Sequence, residues 1–386
     1  MNPIPLGPVI ILGGGPIGLV CALLLARQGQ ASSLVDARPV AALQRDRRLL
    51  ALSRGTLDVL EPLLGSNFAP LGEIHRIHVS SRGNLGSAQL GSRDFDGVAV
   101  GATVWYADLV EALARAAQAQ PLITVQRPRR ALELRQKALT VEIALDNGAV
   151  LTGPLAIDAE GTPSLTRDAG QYALLAELEI SCPPGDAFER FTSEGPLALL
   201  PLPPTPAGAG SGRMSMVWCM PAAAAQARHR LPDGEICEEI ARALGHRLGR
   251  PAGIGARSMF PLHTHRVAQV CEHRVVHLGN AAQSLHPVAG QGFNLGIRDC
   301  QVLLQCLIDD PLDAAGPDGL RALQRYAARR RIDRSVFPAL TSALPPLFAT
   351  RLGPVVAGRS AALLALDLVP GLRRSFTRLL MYGAPR

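Results

Sequence analysis

VIILGGGPIG, residues 9–18, decides the fold. Val9 to Leu12 is a β-rich run, Gly13-Gly14-Gly15 breaks it, and Leu19 to Arg27 continues as an apolar helical run. A G-x-G-x-x-G spacing is informative only between a strand and a helix, and here it has both. In that setting Gly13 permits the tight turn, Gly15 lets backbone approach a pyrophosphate, and Gly18 allows close helix–strand packing. The helix N-terminus then points its unpaired N–H groups at the phosphates. A second strand, Ser33-Leu34-Val35, ends in Asp36, 23 positions after Gly13, close to the spacing of about 20 expected of a carboxylate that binds ribose hydroxyls. A Rossmann-like α/β domain with a dinucleotide site follows.

Composition sets the outer bounds. At about 100–200 residues per domain, 386 residues suffice for two packed lobes or one large α/β body. With 47% hydrophobic and 18% charged residues the chain buries a sizeable core, and disorder is excluded. Its net charge of +7 permits contact with anionic membranes or nucleic acid, but no basic strip interleaved with aromatics forms a stacking groove, so nucleic acid is not expected. Seven cysteines show no C-x-x-C pair, which reads as reduced thiols in a cytoplasmic protein. No Lys or Arg precedes the first apolar stretch, so no export is expected.

Further along, 44–64 reads as an arginine-bearing loop and a helix, 108–118 as a helix, and the runs around Asn147-Gly148 as a hairpin. Residues 172–268 change character: short β-rich runs separated by proline and glycine clusters such as 201-PLPPTPAGAGSG-212, with one helix near 233–245. These, with 76–95, predict an antiparallel sheet inserted into the first fold. Then 275-VVHLGNAAQSLHPVAGQGFNLGIRD-299 brings a second glycine signature. Gly279-Asn280 follows a short strand, and Gly290-Gln291-Gly292 opens a helix whose first turn presents bare N–H groups to an electron-rich atom.

The order of these motifs resembles the flavin-dependent aromatic hydroxylases related to para-hydroxybenzoate hydroxylase, most closely their ubiquinone-biosynthesis subgroup. ILGGGPIGL with VDARP, DRRLLALS, AEGTPSLTR, GPLALLPLP, MVWCMP, MFPL, the 278–299 block and the tail VPGLRRSFTRLLMYG carry the likeness across the whole chain. The resemblance implies an FAD-binding domain from 1–75, 96–171 and 269–335, a substrate domain from 76–95 and 172–268, and a helical C-terminal segment over 336–386. It implies that Gly13, Gly15 and Gly18 cradle the FAD pyrophosphate, Asp36 takes the adenosine ribose, and Arg38 and Arg48 lie along the cofactor, leaving Arg45 and Arg47 to solvent. Asn280 is expected at the ribityl and pyrophosphate region, with Pro287, Gly290, Gly292 and Asn294 lining the isoalloxazine. His286 and Pro287 are the candidate catalytic residues, with capping or packing as the alternative for His286. The implied chemistry is hydroxylation of a polyprenylated phenol by O2 through a flavin C4a-hydroperoxide, with NAD(P)H as electron donor.

The chain departs from that family where Glu160-Gly161 replaces Asp-Gly, Gly279-Asn280 replaces Gly-Asp, and Gln283 replaces a His. Asn280 keeps an acceptor oxygen but loses the charge. The alternatives are therefore hydroxylation of a soluble aromatic compound, or a catalytically silent partner in a ubiquinone-synthesis complex. Trp105, Tyr106, Trp218 and Phe260 are candidates for an aromatic pocket, and Asp299 with Arg298 for a helix-surface ion pair. The basic tail, with Arg373, Arg374, Arg378 and Arg386, reads as a membrane-surface helix on the inner face of the membrane or as a packed helix with a solvated basic face.

Overall fold

In the computed structural model, β1 (Val9–Leu12) is buried along its whole length between two parallel neighbours. The structure describes residues 7–384 except 44, 66–67, 69–70, 162–166, 205–211, 246–247, 286–289, 312–319 and 351, with backbone alone at 40, 167–169 and 340. After β1 the chain forms α1 (Pro16–Arg27), with Pro16 pre-set for the first turn, and returns as β2 (Ser32–Val35). The sheet runs Cys271–Glu272, Val275–His277, Ala156–Asp158, β1, β2, Ile123–Gln126, parallel except for its Cys271–Glu272 edge. The chain leaves β1 on both sides, so a crevice opens at its C-terminal end. The glycines stand there.

Alternation along β1 assigns its two faces. Val9 and Ile11 pack with α1 and the helices Tyr106–Gln118 and Gln291–Asp309, while Ile10 and Leu12 pack on the hairpin sheet of Ala131–Gln136, Val141–Leu145 and Val150–Gly153. The expected Asn147-Gly148 turn closes that hairpin, with Gly148 at φ +82°.

The inserted sheet is present, and it is mixed. Most strands pair antiparallel around Arg167–Glu179 and Arg213–Pro221, but Asp186–Phe191 runs parallel to Arg76–Ser81. These two strands belong to separate excursions of the chain, and the long connection between them allows a pairing that no short hairpin can make. Helix Asp233–Leu244 matches expectation, whereas Ala222–Arg230 was not expected. That helix buries only Ala225, so it carries no apolar period to read. Trp218 is corrected from pocket to core: it is 1% exposed beneath these helices, with the Arg228 guanidinium 4.5 Å from its ring centroid. Most of the proline–glycine segment, 205–211, lies outside the described residues.

A small sheet of Leu49–Ser53, Gly101–Trp105 and Gly72–Ile74 joins the lobes: Thr103 Oγ1 donates to the Pro201 carbonyl at 2.6 Å. The C-terminal region is helical, as Arg321–Ala349, Gly353–Leu368 and Pro370–Tyr382, the first running across the expected start at 336. Arg373 is corrected from a free basic residue to a buried anchor, donating to both Asp94 oxygens at 2.7 and 2.9 Å. No single helix among the described residues is long and apolar enough to cross a membrane; the last two pass that test only as a pair bent by 96°.

Two outcomes check this packing. A Cβ on Gly18 would stand 1.9 Å from the Gly13 carbonyl oxygen, so Gly18→Ala should cost about 3 kcal/mol or more of stability, and a wild-type denaturation midpoint would contradict the crossing. His277 Nδ1 lies 2.8 Å from Asp158 Oδ2, and that hydrogen bond raises the His277 pKa above its ordinary 6.5. A raised folded value means the stabilisation is complete below the unfolded pKa and is lost as pH rises through the folded one. His277→Gln should therefore lower stability more at about pH 5.5 than at about pH 8.5; equal losses would remove the ion pair from the account.

Candidate functional site

The first turn is held from below. Gly13 adopts φ +98° and donates its N–H to the Val35 carbonyl, and a Cβ there would meet the Ala159 carbonyl oxygen at 2.3 Å. Asp36, at the end of β2, accepts from the Gly14 N–H at 2.7 Å and from the Arg38 N–H at 2.7 Å. Arg127, which sequence reasoning missed, donates through one nitrogen to both Asp36 (3.0 Å) and the Gly14 carbonyl (2.6 Å). Burial alone would raise the Asp36 pKa; the hydrogen bonds from Arg38 and the charges of Arg38 and Arg127 outweigh it and hold the carboxyl below its usual range. Asp36 is ionised and already engaged by protein donors, of which the Arg38 side chain is half-exposed and that of Arg127 buried.

Above the turn the picture reverses. A Cβ on Gly15 would find nothing closer than the Tyr106 hydroxyl at 3.8 Å and Arg38 at 3.9 Å. No side chain caps the N-terminus of α1, so its first N–H groups face the same space. Arg48 closes a further side, paired with Asp46 and 5.0 Å from the Tyr106 ring centroid. A glycine face, an open helix N-terminus and two arginines suit a diphosphate.

The Gly279 turn and the Gln291–Asp309 helix meet α1 at Ile17. A Cβ on Gly296 would lie 2.7 Å from the Ile17 Cδ1 and 3.1 Å from the Gly279 Cα, while one on Gly279 would lie 3.2 Å from Ile17. Cys300 Sγ reaches the Ile17 carbonyl at 3.6 Å. Asp299 is corrected from the helix surface to the core: it is 1% exposed, accepts from the Gly279 N–H at 3.0 Å and binds Arg330 at 2.7 Å. Asn280 stands exposed on the turn between these groups. Gly296 and Asp299 were missed as site-forming residues; a glycine inside an amphipathic helix, where it costs about 1 kcal/mol against Ala, was the available signal.

Gly290 is left-handed, φ +58°, and begins the Gln291–Asp309 helix without a side-chain cap. A Cβ on Gly292 would meet nothing within 4 Å, whereas one on Gly290 would touch Ala51 at 3.0 Å. Asn294, expected to line the isoalloxazine, has both ends of its amide engaged by protein. Its Oδ1 accepts from Ser53 N and Thr56 Oγ1, and its Nδ2 donates to the carbonyls of Ala51 and Gly290. The amide is thus fully occupied in fixing strand Leu49–Ser53 against the turn. His286 and Pro287 lie outside the described residues. A cleft of about 420 Å³ lined by Thr264–Arg266, Ser284, Leu285, Pro338, Thr341 and Ser342 adjoins them in sequence.

A family model described as FAD binding domain matches residues 7–334. The chain is 29% identical to ubiquinone hydroxylase UbiL of Rhodospirillum rubrum over 96% of its own length and 88% of that protein. It is 29% identical to the 3-demethoxyubiquinol 3-hydroxylase of Escherichia coli over 92% and 95% of the two chains. Among solved structures, p-nitrophenol 4-monooxygenase PnpA of Pseudomonas putida is similar with a TM-score of 0.75 across 99% of both chains at 15% identity. Klebsiella pneumoniae HpxO complexed with FAD and uric acid is similar with a TM-score of 0.69 across 98% of this chain and 97% of that one, at 15% identity. At these identities the two structures speak for the fold.

The open face of Gly15 generates a clean contrast with Gly18. Gly15→Val should fold with a near-wild-type midpoint yet purify without most of its yellow flavin, a loss of about tenfold or more in FAD affinity. Full flavin content in that variant would displace the diphosphate from this turn.

Proposed function

The chain belongs to the FAD-binding domain family and to its FAD-dependent monooxygenases, and from that premise we propose that it hydroxylates the aromatic ring of a polyprenylated phenol in ubiquinone biosynthesis. The observation that carries the reading is a pair of uncapped, glycine-opened helix N-termini, Gly15 before α1 and Gly290–Gly292 at the start of Gln291–Asp309, on two helices that cross where Gly279 and Gly296 pack on Ile17, the first suited to a diphosphate and the second to an electron-rich ring. Similarity to two ubiquinone hydroxylases across nearly the full chain supports the substrate class.

The residues present fit FAD. Gly15, the α1 N-terminus, Arg38 and Arg48 would hold its diphosphate, and Asp36 would take the adenosine ribose once Arg38 gives way. Asn280 would accept from a ribityl hydroxyl. Gly290, Gly292 and the first N–H groups of the Gln291–Asp309 helix would face the ring system. When bound, FAD would supply the redox chemistry that activates O2, with NAD(P)H as the electron source. The protein's own part is orientation, exclusion of water and stabilisation of charge at the helix N-terminus.

Exposed Leu364, Leu368, Val369 and Leu372, beside exposed Arg374 and Arg378, support docking of the bent C-terminal helices on a membrane surface, where a polyprenyl substrate resides. Arg351 and Arg386 lie outside the described residues.

The test is turnover. Purified holoenzyme given NAD(P)H, 2-farnesylphenol and isotopically labelled O2 should release a product carrying one labelled oxygen on the ring. Flavin-replete enzyme that returns the phenol unchanged, while hydroxylating a water-soluble phenol, would favour a soluble substrate instead.

A further inference from the structure

The helices Ala222–Arg230 and Asp233–Leu244 cover one face of the inserted sheet, and residues from outside the sheet cover the other only in part. Along Arg213–Pro221, Met214, Met216, Trp218 and Met220 are buried toward the helices, and Val217 between them is half-buried on the opposite side. Leu175, Leu200 and Val79 show the same partial exposure. Register places Glu189 in this row, opposite Ala198 on one neighbouring strand and Val79 on the other, with Ala198 in turn opposite Val217. Directly opposed residues project to the same face.

That face is closed at both ends. Phe348 stacks on Phe191 at 4.0 Å, two residues along the strand from Glu189. Ile74, Val100 and Met381 pack on Ala187, two residues the other way. Between them the Glu189 Oε1 is sealed from solvent and has no hydrogen-bond partner among the described residues, although the residue as a whole retains accessible surface. Glu189 thus stands, one oxygen unpartnered, in a row of partly exposed residues between two covered ends. A chain of contacts links this face to the Gly290 turn: Leu200 precedes Pro201, whose carbonyl accepts from Thr103, Thr103 pairs with Ala51, and Ala51 lies against Gly290.

We propose that Glu189 is the polar anchor of a substrate cavity on this face, accepting a hydrogen bond from the phenolic hydroxyl of the ring while Leu175, Val217, Leu200 and Val79 take its apolar remainder. This rests on the ring-hydroxylating reading above. A buried carboxyl without a partner is costly, and a phenol that donates to it supplies the missing bond. Burial pushes the Glu189 pKa up to about 7, so at neutral pH a donor arriving at the carboxyl tips it to the ionised, accepting form.

The experiment is a titration of holoenzyme with 2-farnesylphenol and with its methyl ether, followed by perturbation of the flavin absorbance. Glu189→Leu should keep its flavin, bind the phenol about 10–100-fold more weakly than wild type, and bind the ether unchanged. Glu189→Gln, which conserves shape, should weaken phenol binding about tenfold and serves if the Leu variant does not fold. Variants that hold flavin and bind the phenol with wild-type affinity, or that lose phenol and ether alike, overturn the anchor. Wild-type enzyme that binds the phenol through Glu189 but never hydroxylates it would overturn the function and leave the anchor standing; wild-type enzyme that binds neither compound would overturn both.

Discussion

Two glycines and one isoleucine set the crossing of two helices in the molecule's first lobe. Ile17 of α1 sits where Gly279 and Gly296 bring backbone within van der Waals reach, and no side chain fits at either glycine without moving it. Because α1 begins at the first glycine turn and the Gln291–Asp309 helix begins at the second, this crossing fixes how two helix N-termini stand relative to one another. Everything that can bind a dinucleotide here depends on that distance being short. Native packing density leaves little freedom to absorb an added methyl group, so the constraint is strict.

Around the crossing, polar residues fall into two kinds. Asp36, Asn294 and Asp299 have their oxygens engaged by protein: they hold Gly14, Ser53 and Gly279 by their backbone N–H groups and so shape the turns. Gly15 and Gly292, by contrast, border space that no neighbour fills. The first kind resists change through buried hydrogen bonds, whose loss leaves groups unsatisfied; the second leaves the fold indifferent and the ligand dependent.

Much of this was legible in the chain. The strand–glycine–helix unit and Asp36 could be read because they are local, and local geometry dictates residue type at each position. The second turn was legible for the same reason. Arg127 was invisible, since it reaches Asp36 from a strand 91 residues away and nothing in its own neighbourhood marks it. Asp299 looked like a helix-surface acid because its partner, Arg330, arrives from another helix. Trp218 was misplaced because alternation tells which residues share a face but not which face meets the helices. Glu189 went unread for that reason too: one acid in a strand looks solvated until the pairing of its neighbours turns it inward.

The most direct measurement of the central claim is a crystal structure of the protein with FAD bound. The diphosphate should lie against Gly15 and the N-terminus of α1, with the ring system of the same molecule at Gly290–Gly292. A flavin that touches one turn alone, or a ring system placed away from the Gln291–Asp309 helix, would contradict the account.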